Sequence, residues 1–139
     1  MKISLIDWKD TTFEYGKGKM QISGKTIQAA YDIIQEVSKK KARIEYFEII
    51  NQLKQSGHKK ISRRIIGTIV GEVSIQISDV TNPSVYPSSV VIRKKSGTPG
   101  EGFWEVDTGT LPPNKVPAKQ RKVTLQQYQK NVFDWASEL

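Results

Sequence analysis

From Thr26 onward, apolar residues recur at steps of three and four: Ile27, Ala30, Tyr31, Ile34 and Val37. That spacing lays one buried stripe along a helix. It predicts a helix over 26–40 that stops near the cationic stretch SKKKA, where positive charge suits a helix C-terminus. Residues around Ile44 read as a short extended lead-in, and a second helix follows over 46–56. Phe47, Ile50 and Leu53 fall on one face of it, and Gly57 serves as its C-terminal cap. The segment KKISRRIIGTIVGEVSIQIS is ambiguous. Its β-branched residues and the alternation in VSIQI favour a strand, whereas Ile61, Ile65, Ile69, Val73 and Ile77 step by four throughout. The longer pattern decides for a helix over 60–78. Gly67 and Gly71 lie four apart on it, a spacing that reads as close packing of a neighbouring element. No P-loop lysine follows them, so they do not read as a phosphate loop. A last helix is predicted over 124–138, with Thr124 as N-cap and Tyr128, Val132 and Trp135 on its packed stripe.

Between the third and last helices, SSVVI and FWEV flank the stretch RKKSGTPGEG. Two apolar runs around a glycine-rich centre predict an antiparallel hairpin over 88–106. Strand alternation then turns Phe103 inward and Trp104 to the opposite face, with Lys94, Lys95 and Gly97 projecting away. Three helices followed by such a hairpin give the order of a winged helix-turn-helix. The predicted fold class is therefore mainly α with a β-hairpin, a winged helix-turn-helix, plus an N-terminal arm and a C-terminal helix. The boundaries are an arm over 1–23, a winged-helix domain over 24–106, a Pro-rich basic bridge over 107–123 and a C-terminal helix over 124–139 that packs on the domain. The arm carries Trp8, Phe13, Tyr15 and the run GKGK, whose two glycines interrupt a helix and imply a turn. The bridge, TLPPNKVPAKQRK, reads as an extended spacer with polyproline character.

Charge changes the picture from fold to function. The 139 residues hold 22 Lys and Arg against 14 Asp and Glu, a net charge of +8 that attracts polyanions. Cysteine is absent, which removes disulfides, thiolate zinc sites and thiol nucleophiles and accords with a reducing interior. The start has no apolar core of signal-peptide length, and no stretch is long enough to span a bilayer, so the expected location is the cytoplasm. His58 is the sole histidine, so Cys–His clusters and two-histidine metal sites cannot form. Glu45, Glu48, Glu72, Glu101 and Glu105 show no nuclease-like grouping with lysine, and His58, set in a turn among lysines, lacks the partners of a serine triad. The expectation is a non-enzyme with no catalytic residues, no metal and no cofactor.

Four cationic clusters stand out: KKKAR, HKKISRR, RKK and KVPAKQRK. Any one of them alone reads as a solvated face. The second and third, however, coincide with the recognition helix and the wing, the two elements a winged helix lays on DNA. The candidate DNA-binding residues are Lys59, Lys60, Ser62, Arg63, Arg64 and Thr68 at the third helix and Arg93, Lys94 and Lys95 on the wing. Arginine suits bidentate contact with guanine or phosphate, and the lysines suit phosphate.

Taken with the helices, the stretch GTPGEGFW, the arginine-led RRIIGTIVGEVS and the late YQKNVFDWASEL make residues 26–139 resemble small winged-helix domains. Those domains lie beside or fused to endonuclease modules in bacterial restriction and mobile-element proteins. The resemblance implies the winged-helix fold and a binding role, for which the charge clusters make duplex DNA the expected partner; the nuclease module is missing from this chain, so cleavage is not implied. The competing reading is a protein-interaction module, an inhibitor, regulator or scaffold in a phage, defence or mobile-element system. There Trp8, Phe13 and Tyr15 would anchor a partner, unless the arm folds back and completes the core.

Overall fold

A computed structural model describes residues 6–139; the first five residues of the arm lie outside the described residues. The fold is mainly α with one small antiparallel hairpin. Four helices form close to where periodicity puts them: α1 over Gly24–Lys39, α2 over Tyr46–Gln55, α3 over Arg63–Val80 and α4 over Arg121–Ser137. The predicted stripe of α1 is the buried one, with Ile27, Ala30, Tyr31 and Ile34 in the core. In α3 the step of four wins over β-branching. Ile65, Ile69, Val73 and Ile77 are all buried against α1 and α2, which outweighs the modest intrinsic cost of branched side chains in a helix. α2 departs from expectation: Ile49, Ile50 and Leu53 are its buried face, whereas Phe47 is 57% exposed.

The antiparallel hairpin lies in the arm. Strands β1, Thr11–Tyr15, and β2, Gly18–Ile22, pair with Phe13 opposite Met20 and Tyr15 opposite Gly18. Gly16, at φ +53°, opens the two-residue connection, the position where a tight hairpin turn needs a left-handed residue. Trp8, Phe13 and Met20 pack against the main core, and the Trp8 ring lies 5.1 Å from that of Tyr31. The chain also crosses closely over the start of α1. Gly24 N–H donates to Asp10 Oδ1 at 2.7 Å, and a Cβ at Gly24 would collide with the Trp8 carbonyl oxygen.

The hairpin predicted over 88–106 does not form. Residues Pro87–Val90 wind as a 3-10 turn, and only Val91–Ile92, β4, are extended; they pair in parallel with β3, Ile44–Glu45. Glu101–Glu105 is a second 3-10 turn. The reason lies in the aromatics. A strand would send Phe103 and Trp104 to opposite faces, whereas the turn buries both, at 4% and 9% exposure, in a second cluster with Tyr86, Val106, Leu125 and Tyr128. Phe103 meets Trp104 at 4.8 Å and 84° and Tyr128 at 5.7 Å and 76°, edge-to-face geometries that add to the area buried. Two large rings removed from water outweigh a ladder of a few residues. The expectation of an inward Phe103 holds, and Trp104 is inward as well.

Two further boundaries move. α4 begins at Arg121 after a 3-10 turn at Ala118–Gln120, so Thr124 lies inside the helix and is not its cap. The 107–123 segment has polyproline angles at Pro112 and Pro117, but it is fastened down. Tyr86 donates to the Thr108 carbonyl and Tyr128 to the Leu111 carbonyl, each at 2.7 Å, and Pro113 is buried. Among the described residues, no helix is long and apolar enough to cross a membrane.

Candidate nucleic-acid interface

The start of α3 and the turn after β4 bring three of the candidate cations, Arg63, Arg93 and Lys94, together. α3 starts later than its cationic run suggests: Ser62 is the N-cap, its side chain making no capping bond, so Lys59 and Lys60 stand in the preceding turn instead of the first helical turn. That placement spares the helix dipole two adverse charges. Arg63 and Arg64 do open the helix. Adjacent positions on a helix diverge, and the two guanidiniums part accordingly: Arg63 lies 5.9 Å over the Phe47 ring, and Arg64 lies 5.8 Å over Tyr15 of β1. Thr68, one turn beyond Arg64, is half-buried.

Arg93, Lys94 and Lys95 sit on a closed turn. Arg93 N–H donates to the Thr98 carbonyl and Gly97 N–H to the Arg93 carbonyl, both at 2.9 Å, with Gly97 at φ +68°. The turn is pinned from behind, where Gly100 N–H donates to Tyr46 Oη at 3.0 Å. Burial pushes the Tyr46 phenol above its ordinary value, against the pull of the Gly100 bond and the Arg93 charge, so it stays a neutral hydroxyl at physiological pH. The basic turn is thus held by α2 and by the short parallel pair of β3 and β4 that precedes it, not by an antiparallel hairpin.

Arg63, Arg93 and Lys94 line a cleft of about 850 Å³ between the start of α2, the Gly67–Gly71 face of α3 and the 100–103 segment. Its walls are mainly apolar, from Ile50, Ile66, Val70, Ile92 and Phe103. A Cβ placed on either Gly67 or Gly71 meets nothing within 4 Å. The expected close approach of a neighbouring element at these glycines is therefore absent; they form an open floor. Lys59 and Lys60 line a separate, smaller pocket of about 210 Å³ beside β2, where His58 Nδ1 and Thr26 Oγ1 are 3.0 Å apart.

The seven cations Lys59, Lys60, Arg63, Arg64, Arg93, Lys94 and Lys95 are all exposed, and among the described residues none is within ion-pair distance of a carboxylate. The pairs that do form lie elsewhere: Lys19–Glu14, Lys39–Glu36, Arg121–Glu101 and Lys130–Asp134. Sequence reasoning missed the cleft's contribution from Tyr46 and Phe47, having given Phe47 to the core. The available signal was the apolar triplet Ile49, Ile50 and Leu53, which fills the buried face without it. It also missed that Tyr15 would stand beside Arg64, which no local pattern encodes. No protein-family model, curated protein or solved structure matches the chain.

Proposed function

We propose that the protein binds duplex DNA without catalysing a reaction on it, in the cytoplasm, through the start of α3 and the basic turn 93–95. The observation that carries this reading is the set of seven exposed cations, on the turn before α3, at the start of α3 and on the 93–95 turn, none of which is within ion-pair distance of a carboxylate among the described residues. A protein that satisfies its surface charge internally pairs some of such a set, whereas unpaired cations gain from releasing the counter-ions of a phosphate backbone. α2, the connecting turn and α3 serve as the helix-turn-helix, and the closed 93–98 turn stands in the place of a wing. Against the protein-interaction reading, Trp8 and Phe13 are spent on the core, which leaves Tyr15, 41% exposed, as the one exposed aromatic of the arm.

Two variants separate the roles within this surface. Lys94→Ala with Lys95→Ala weakens binding to all duplexes alike and flattens the salt dependence, because those side chains meet phosphate. Arg64→Ala costs about 1–3 kcal/mol at a preferred site, because a guanidinium at a helix start reads base edges. Mobility shifts with random and selected duplexes measure both. Binding indifferent to all three substitutions would return the case to a protein partner.

A further inference from the structure

The cleft beside the basic turns is larger and more apolar than phosphate binding requires. A phosphate track needs only exposed cations, yet here a cavity of about 850 Å³ opens between Arg63, Arg93 and Lys94, a size within the range of small-molecule sites. Its floor is kept clear by two glycines in the interior of α3, where alanine would be the better helix former. Phe47, 57% exposed, stands at the edge with the Arg63 guanidinium over one face of its ring, which leaves the other face for stacking. Hydrogen-bonding groups are few: the Glu45 carboxylate and the Tyr46 hydroxyl, whose proton has no acceptor among the described residues, since the Ser88 hydroxyl is buried and already bonded to that of Ser74. A flat, apolar-faced body with a polar edge, joined to an anionic chain, matches each of these features.

Resting on the DNA-binding reading, we infer that the cleft receives a single nucleobase turned out of the helical stack, its flanking phosphates held by Arg63, Arg93 and Lys94. Stacking against an aromatic ring rewards any base, and a carboxylate and a hydroxyl suit the amino and carbonyl groups of a base edge. Turning out a base costs unpairing and unstacking energy, least where the base is already unpaired. The cleft therefore makes the protein favour duplexes with an unpaired base over perfectly paired ones. An apolar peptide side chain would fill the same walls, but three cations against one carboxylate in the lining favour an anionic chain.

The test compares three short duplexes of otherwise identical sequence by fluorescence anisotropy: fully paired, carrying one unpaired cytosine, and carrying an abasic residue at that position. The abasic duplex has the flexibility of the bulge without the base. Preference for the unpaired cytosine over both others, on the order of tenfold, is the expected result. It disappears in Gly71→Leu, whose side chain fills the cleft, and in Phe47→Ala, which removes an exposed ring and leaves the core intact. Equal affinity for the cytosine and abasic bulges, or a preference that survives both substitutions, overturns the inference and leaves DNA binding standing. Failure to bind any of the three duplexes at low salt overturns the DNA-binding reading and the inference with it.

Discussion

Replacing Gly67 and Gly71 with alanine tests whether these positions face open space. Both lie within α3 with ordinary negative φ, and an added Cβ meets no atom within 4 Å at either. The substitution therefore brings only the gain in helix propensity, about 0.8–1.0 kcal/mol per site, with no overpacking to offset it. An unfolding entropy of about 2.1 cal/mol/K per residue gives this chain about 0.29 kcal/mol/K, so each alanine raises Tm by about 3 °C and the pair by about 6 °C. Calorimetry measures the shift, and urea unfolding with an unchanged m-value shows that the native state is the same. Glycines that served close packing would behave oppositely, because an added methyl in a filled interface costs about 1–3 kcal/mol. A Tm lowered by either substitution refutes the open floor and the cleft built on it.

Phe103→Ala should destabilise the protein by about 3–5 kcal/mol in urea unfolding, since the ring is buried among Trp104 and Tyr128; an unchanged midpoint would mean that the 100–106 segment is not docked. Burial raises the phenol pKa of Tyr31, Tyr46, Tyr86 and Tyr128. Each group binds its proton more tightly folded than unfolded, so its contribution is fully present below the unfolded value of about 10 and is lost as pH rises above it. Thermal scans from neutral to strongly alkaline pH should show Tm falling above that point, and a flat profile would contradict the burial of these phenols. Among the described residues, the buried Tyr31 hydroxyl has no hydrogen-bond partner. Tyr31→Phe should consequently leave stability unchanged or raise it by about 1 kcal/mol, and should lessen the alkaline loss; a clear drop in stability would show that the hydroxyl has a partner.

The helices were readable because burial on one face imposes a period that a local window contains. Ile65, Ile69, Val73 and Ile77 declare α3 despite their branching. The 88–106 segment was misread for the complementary reason. Its local signals are those of a hairpin, but Phe103 and Trp104 are positioned by Tyr128, a residue of α4 distant in sequence. Conversely, the true hairpin at 11–22 was read only as an arm with a turn, because its strands are short and mostly exposed. Of the candidate site, residue types and exposure were accessible from the charge clusters. The cleft was not, because it is formed by three separate segments. The meaning of Gly67 and Gly71 in particular reverses once nothing is found opposite them.

The dependence of duplex affinity on salt tests the central claim most directly. With seven unpaired cations available, the slope of log K against log salt concentration should be steep, reaching about −6 if all of them meet phosphate and less if some do not, at roughly −0.9 per neutralised phosphate. Removing Lys94 and Lys95 should make that slope shallower by nearly two. Absence of binding to random duplex DNA at low salt, or a slope near zero, would contradict the account.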